Sequence, residues 1–406
     1  MAITITQQPQ PFQPACNPFI WVFESDQTTQ PNFSFIVELY VDGSLVSTHQ
    51  VFNESGSYAK FDASGELRSL LTSEMVTTGT LINFYSQAYG NVNVKVYEKY
   101  GTPPVLNVSS ATSGFARTGF NASLRHPDFI AWNYLDYEVT QSNPNSNNLL
   151  FLTTFPRTRK YFVGLYESAF LTFLSNTGIG GFRVDVRLYD INGVLITNNS
   201  PYSATSNRMV VLDVSPQNII ANTPITLIDF QSCAYYTIMV QAMDVGIYSG
   251  FTEVFTFWMD TECHRYDTHR LHWLNKLGGW DSFTFTLVST NSTKVLTSDY
   301  QRERGQWDTS GTTWEYTRYH GEQMAFNKYA TDTTVLNSDW IHESVQQWLV
   351  RELYESPKVY LEVTPGAFEP VKVTNEDFTL KQRRVDGLIR EVVNIERTYT
   401  YNSQLT

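Results

Sequence analysis

The sequence predicts a mainly β protein, with about three β-sandwich or immunoglobulin-like modules in tandem and two short helices. Three observations predict it. Aromatic residues make up 15% of the 406 positions and charged residues only 17%, a balance suited to broad half-buried sheets rather than helical bundles or disorder. Apolar and polar residues alternate with period two in several segments, which marks strands with one buried face. Asp-Gly and Asn-Gly pairs join such segments, and glycine accepts the positive φ of a tight hairpin turn.

Residues 1–16 are rich in Gln and Pro and read as an extended N-terminal arm, either one that orders on a neighbouring subunit or a frayed terminus. Residues 17–102 read as a β module with a short helix. Phe33, Phe35, Val37, Leu39 and Val41 alternate with Ser34, Ile36, Glu38 and Tyr40, and Asp42-Gly43 then turns the chain into a second strand. Ser64 is placed to cap a short helix whose apolar face is Leu67, Leu70 and Leu71. A strand from Asn91 to Glu98 follows, and Gly101-Thr-Pro-Pro104 closes the module, because paired prolines cannot join a central strand.

Residues 103–249 read as a β-sandwich module. Phe182, Val184, Val186 and Leu188 alternate with Arg183, Asp185 and Arg187, and Asn192-Gly193 makes the second strand–turn–strand unit. Its likeness to the first hairpin points to a duplicated module or to convergent hairpin chemistry. A further alternating strand runs from Tyr235 to Ala242, and 143–148 is a polar surface loop.

Residues 250–406 read as a Trp-rich β module with one amphipathic helix, 338–354. Seven of the nine tryptophans lie between Trp258 and Trp348. Ser338 is placed as the helix cap, with Ile341, Val345, Trp348, Leu349 and Leu353 on one face and Pro357 as the stop. Strands follow at 359–363, 371–374 and 388–401. The last has Glu391 and Arg397 on its apolar side, which suggests an edge or a subunit contact where charge stays wet.

The net charge is −12, with no basic stripe, so the chain is a poor candidate for gripping nucleic acid. Such a surface suits a channel through which nucleic acid slides. Three cysteines without pattern, Cys16, Cys233 and Cys263, argue against a disulfide framework. The first residues lack the basic and apolar regions of a signal peptide. No apolar run reaches the ~18 residues of a membrane span.

Cys263, His264, Asp267, His269 and His272 are all metal-ligand types. On a strand, however, His269 and His272 point to opposite faces, and no second ligand pair completes a tetrahedral set. No metal and no cofactor are assigned. Asp308, Glu315 and Glu322 lie among aromatics, as in sugar-binding clefts, but no carboxylate pair is positioned by the sequence, and no catalytic residues are assigned. The 178–181 glycine cluster precedes a strand rather than a helix and fails the dinucleotide context. The non-catalytic candidates are Trp273, Trp280, Trp307 and Trp314, which suit interface anchors or a domain core. Arg302, Arg304, Arg383 and Arg384 suit inter-subunit ion pairs or a solvated face.

Three sets of segments carry a family resemblance. Asn17-Pro-Phe-Ile-Trp-Val-Phe-Glu-Ser-Asp, with Pro31-Asn-Phe-Ser-Phe and Val41-Asp-Gly43, is one. The aromatic corner Leu271–Leu287, with its Leu-Gly-Gly-Trp centre, is another. Leu353-Tyr-Glu-Ser-Pro-Lys-Val-Tyr-Leu and Pro370-Val-Lys-Val-Thr-Asn375 are the third. Together they resemble virion structural proteins of crAss-like, podovirus-type bacteriophages, and leave 102–250 mostly uncovered. The resemblance implies a tail-barrel or connector ring protein that surrounds the DNA path without specific DNA binding. Its partners would be copies of itself, 6- or 12-fold, and neighbouring portal, tail or ring proteins, with no membrane. Its place would be the virion neck or tail, after synthesis in the bacterial cytoplasm. Two other classes stand beside it: a collar spike or fibre that binds host glycans, and a tail-associated glycan hydrolase.

Overall fold

The structure, a computed structural model, describes residues 3–54, 56–75, 79–140, 147–175, 181–203, 208–244, 247–316, 318, 322–375 and 387–402. It is mainly β, as the composition and alternation predict, and strands form several sheets. The chain divides into two compact units, 1–262 with 272–283 and 364–367, and 263–271 with 284–363 and 368–406. The stretches 17–102 and 103–249 both fall within the first of these units.

In the first unit, two sheets enclose one core. One sheet holds Thr4–Gln7, Ile20–Glu24 and Tyr58–Asp62. The other holds Phe12–Pro14, Arg117–Phe120, Tyr89–Tyr100, Ser34–Val41 and Ser44–Val51, with Val105–Ser113 also on Tyr89–Tyr100. Trp21, Phe23, Phe35, Val37, Leu39, Val94 and Val96 fill the space between them. The predicted alternation is real: Phe33, Phe35, Val37 and Leu39 are buried. Asp42 and Gly43 both have positive φ, 50° and 80°, in the hairpin turn.

Three expectations change here. The 1–16 stretch is not a free arm, since Ile3, Phe12 and Ala15 are buried and two of its segments pair as strands. Gly101–Pro104 is a turn between two paired strands and not a module end. Helix Ser64–Leu70 forms, but Ala63 stands at its N-cap without a side-chain bond, and the Asp62 carboxylate accepts from the Ser64 N–H at 2.9 Å. Leu67 within it and Leu71 at its C-cap are buried, whereas Leu70 is exposed.

A second sandwich continues the same unit. One sheet runs Glu138–Val139, Phe170–Ser175, Met209–Asp213 and Ile82–Phe84, so a strand from the expected first module completes the second. The facing sheet is built on Gly181–Tyr189, Tyr235–Asp244 and Phe255–Asp260, with Leu195–Asn199 on one side and Tyr161–Gly164 on Phe255–Asp260. Phe173 and Phe182 meet edge to face, with centroids 5.2 Å apart. Three short helices, His126–Ile130, Pro216–Asn222 and Leu227–Gln231, join the two that the sequence predicts.

The aromatic corner is a plug in this unit. Asn275 Oδ1 accepts from the N–H groups of Leu277 and Gly279, both at 3.0 Å, and its Nδ2 donates to the Leu152 carbonyl at 2.9 Å. A Cβ on Gly279 would sit 2.2 Å from that carbonyl oxygen, and one on Gly278 2.5 Å from the Asn121 carbonyl oxygen. Only glycine fits so close a backbone approach. Trp273 and Trp280 are 0% and 1% exposed, so they are core, not interface anchors, in this fold.

In the second unit, Thr290–Gln301, Gln323–Asn337, Val392–Arg397 and Ala367–Val373 are consecutive strands of one sheet. The predicted helix is present as Glu343–Leu353, capped by His342, whose Nδ1 accepts from the Ser344 N–H at 3.1 Å. Ser338 is not its cap: it is buried, and its hydroxyl accepts from the Glu391 N–H at 2.8 Å. The expected long strand over 388–401 is broken into Leu388–Ile389, Val392–Arg397 and Tyr401–Asn402. Its middle piece pairs on both sides. Glu391 is buried and accepts from Gln346 Nε2 and the Tyr354 hydroxyl at 3.1 and 3.2 Å, rather than staying wet.

Candidate functional site

Among the described residues, the longest strand that is exposed throughout belongs to a β ribbon in the second unit. Thr290–Gln301 pairs over its whole length with 323–335 of Gln323–Asn337, with one bulge near Ser298. All 12 residues of Thr290–Gln301 are exposed, and this strand is the end of its sheet. Val295 and Leu296, neighbours that point to opposite faces, are 53% and 56% exposed. Tyr300 and Phe326 are also exposed and meet edge to face. Long, unprotected, partly apolar edges are sites of further pairing or covering.

Beyond the ribbon, Gln306–Trp307 pairs with Trp314–Glu315. Trp307 is 60% and Trp314 37% exposed. Trp314 Nε1 donates to the Arg304 carbonyl at 2.7 Å, and the indole rests on Gly305, where φ is +83° and a Cβ would lie 2.4 Å from Nε1. Asp308 ties the connecting loop, accepting from the Ser310 hydroxyl at 2.6 Å and the Thr312 N–H at 3.0 Å. These bonds, led by Ser310, hold its carboxyl well below the usual carboxylate range. The sequence points to all four candidate tryptophans but has no means to separate these two from Trp273 and Trp280.

Arg304 forms an exposed ion pair with Glu322 within its own chain, and Arg302 is exposed beside it. Arg383 and Arg384 lie outside the described residues, as do 178–180. Of the carboxylates weighed for glycoside chemistry, Glu322 is taken up by Arg304, Asp308 by its loop, and Glu315 stands opposite Gln306.

The ligand-type residues of 263–272 have separate surroundings. Cys263 is exposed. His269 Nε2 lies 3.0 Å from the Ser289 hydroxyl, and burial pushes its pKa down, against Asp267 and with Arg397. His272 is fully buried, with Nδ1 2.7 Å from the Ser282 hydroxyl. Among the described residues, no group of three or more His, Cys, Asp or Glu side chains is placed to hold a metal ion.

A polar groove of ≈ 350 Å³ lies at the base of the ribbon, with Asn291, Thr293 and Asp332 on one side and Arg397, Tyr399 and Tyr401 on the other. Hydroxyls, a carboxylate and tyrosine rings together offer the hydrogen bonds and apolar faces that a small polar ligand uses. No helix among the described residues is long and apolar enough to cross a membrane.

No family model matches the chain, and no curated protein sequence matches it. Among solved structures it is similar to the chicken CNTN1 FN1-FN3 domains, at 10% identity over 64% of this chain and 69% of that one, with a TM-score of 0.17. It is also similar to the Plexin A4 extracellular region (9% identity, 81% of this chain and 40% of that one, TM-score 0.18). A third is dimeric latent PorU from Porphyromonas gingivalis (9% identity, 83% and 32%, TM-score 0.20). At these scores the likenesses carry no argument, and the β-sandwich description rests on this chain's own sheets and core.

Proposed function

We propose that the chain is a non-catalytic structural subunit of a bacteriophage virion, assembling as a ring in the portal–tail region around the DNA path. The observation that carries this reading is the ribbon: an edge strand of 12 exposed residues with apolar side chains on both faces. Such an element is an assembly surface, because in a lone subunit it leaves apolar area and backbone groups open to solvent. The likeness of the three sequence segments to crAss-like virion proteins supports the virion setting. The charge of −12 suits a wall past which nucleic acid moves without sticking. Rings arise when a head-to-tail contact closes. Native mass spectrometry with negative-stain imaging tests the reading. A closed ring of many copies is expected, formed by the chain alone or on addition of a portal or neighbouring tail protein. A monomer under both conditions sinks it.

A second reading, a collar spike or fibre binding host glycans, is favoured by the polar groove with Tyr399 and Tyr401. A trimer that retains capsular polysaccharide, and loses it with Tyr399→Ala, would replace the ring. Release of reducing sugar, abolished by Glu315→Gln or Glu322→Gln, would instead establish a hydrolase.

A further inference from the structure

The first unit carries an aromatic row on the outer face of its larger second-sandwich sheet. Phe162 stands opposite Trp258, Trp258 opposite Tyr235, Tyr235 opposite Tyr189, and Tyr189 opposite Leu195, each pair in direct cross-strand register. Their sequence neighbours Val163, Phe257, Tyr236 and Leu188 are fully buried, so alternation places the row on the solvent side. Tyr189 and Tyr235 stack at 5.1 Å, Tyr235 and Trp258 meet at 4.8 Å, and Lys160 Nζ lies 3.6 Å from the Trp258 ring centre. At the margins, Phe162 is 52%, Ile191 77%, Val194 61% and Leu195 47% exposed. A contiguous apolar patch with a polar rim marks an interaction site rather than ordinary surface.

We infer that this row is the receiving surface for the β ribbon of a second copy of the chain. The inference rests on the ring reading and supplies its two contact faces. Three observations favour a second copy as occupant. The first is size. All 12 residues of Thr290–Gln301 are exposed and exposed Phe326 and Tyr329 lie on the paired strand, about half of the 20–30 residues per side of a standard interface. The second is the ribbon's own architecture. Among the described residues it continues past the pairing of Tyr329 with Asn402 as two strands, and a two-stranded hairpin is marginal in water without a surface to lie on. The third is charge. Copies carrying −12 repel over most of their surfaces. Strand Thr290–Gln301 bears only Lys294 and Asp299, which cancel, and the patch offers Lys160 at its rim. A ribbon on one unit and a receiver on the other form a heterologous contact, the kind that propagates into a ring.

The test places a photoreactive benzophenone amino acid at position 296 of the full chain. Equal amounts of isotopically heavy and light protein are mixed and irradiated, and linked peptides are identified by mass spectrometry. Heavy–light links from position 296 to peptides containing 159–164 or 189–196 are expected. In the same series, Leu195→Asp should weaken self-association about tenfold or more, whereas Val105→Asp, an exposed apolar position on the other sandwich, should leave it unchanged. Links confined to ribbon peptides of the second copy would overturn the receiver, as would within-chain links only, or none. Native mass spectrometry of the same sample reads the ring separately. Heavy–light links without a closed ring, both for the chain alone and after addition of a portal or neighbouring tail protein, keep the docking surface and sink the ring, and a closed ring without these links sinks the docking surface alone.

Discussion

Trp307 and Trp314 face each other across a two-residue strand pair, with ring centres 5.6 Å apart and planes at 85°. Edge-to-face indoles at this distance attract beyond simple burial. Here both are exposed, Trp307 more than Trp314, beyond the end of the ribbon. Trp314 is the fixed member, held by its bond to the Arg304 carbonyl and by its seat on Gly305.

Gly305→Ala should therefore unseat Trp314, since the new methyl meets both the indole and the Glu315 carbonyl oxygen, 2.5 Å away. Loss of the coupled indole signal in circular dichroism is expected, with the main melting transition unmoved. A signal equal to that of the unaltered chain would show that the pair does not depend on this seat.

The aromatic corner should behave in the opposite way. Asn275→Ala removes three hydrogen bonds inside a buried plug. Unsatisfied backbone groups left there should cost about 2–4 kcal/mol, read as a lower denaturation midpoint of the first unit. Trp273→Ala should cost about 3–5 kcal/mol through the cavity it leaves.

Arg157 and Glu253 form a two-pronged ion pair, with both nitrogen–oxygen contacts at 2.5 Å. Glu253 also accepts from the Phe151 N–H at 3.1 Å, and Arg157 lies over the Phe255 ring. Glu253 is nearly buried while Arg157 is a third exposed. Glu253→Ala leaves the guanidinium without its partner and should cost about 3 kcal/mol, at the low end for a broken buried pair because water still reaches the arginine. Chemical denaturation measures it.

His269 gives the second unit a pH dependence. Burial lowers its pKa, so the folded state prefers the neutral ring. Its contribution is full above the unfolded value of about 6.5. It falls as pH drops below that value, until the folded ring itself protonates. Stability of this unit should decline from pH 7 toward pH 5, and His269→Gln should flatten that slope. An unchanged slope in the variant would assign the effect to other groups.

The hairpins are readable because their causes are local. Asp42-Gly43 and Asn192-Gly193 specify turns whatever surrounds them, and period-two alternation names the buried face before any partner strand is known. The helix over 343–353 is readable for the same reason, through its apolar face. Its cap is not: the helix begins at Glu343 and His342 caps it, while Ser338 accepts from the Glu391 N–H, a partner 53 residues distant. The helix Leu227–Gln231 carries a legible signal, the Thr226 to Asp229 capping box, but is only 5 residues long.

Amino-acid order makes this chain β-rich, sets where its main hairpins turn and marks the tryptophans and arginines that merit attention. What those residues do depends on how distant segments pack. Trp273, Trp280, Trp307 and Trp314 share one chemistry, and only strand pairing buries the first two behind the Asn275 corner and leaves the last two on the ribbon. The aromatic row is invisible in the sequence for a related reason. Phe162, Tyr189, Tyr235 and Trp258 are dispersed along the chain, and register across four strands is what brings them into line. Local order follows from neighbouring residues and backbone sterics, whereas burial, exposure and surface patches depend on contacts between segments far apart in the chain.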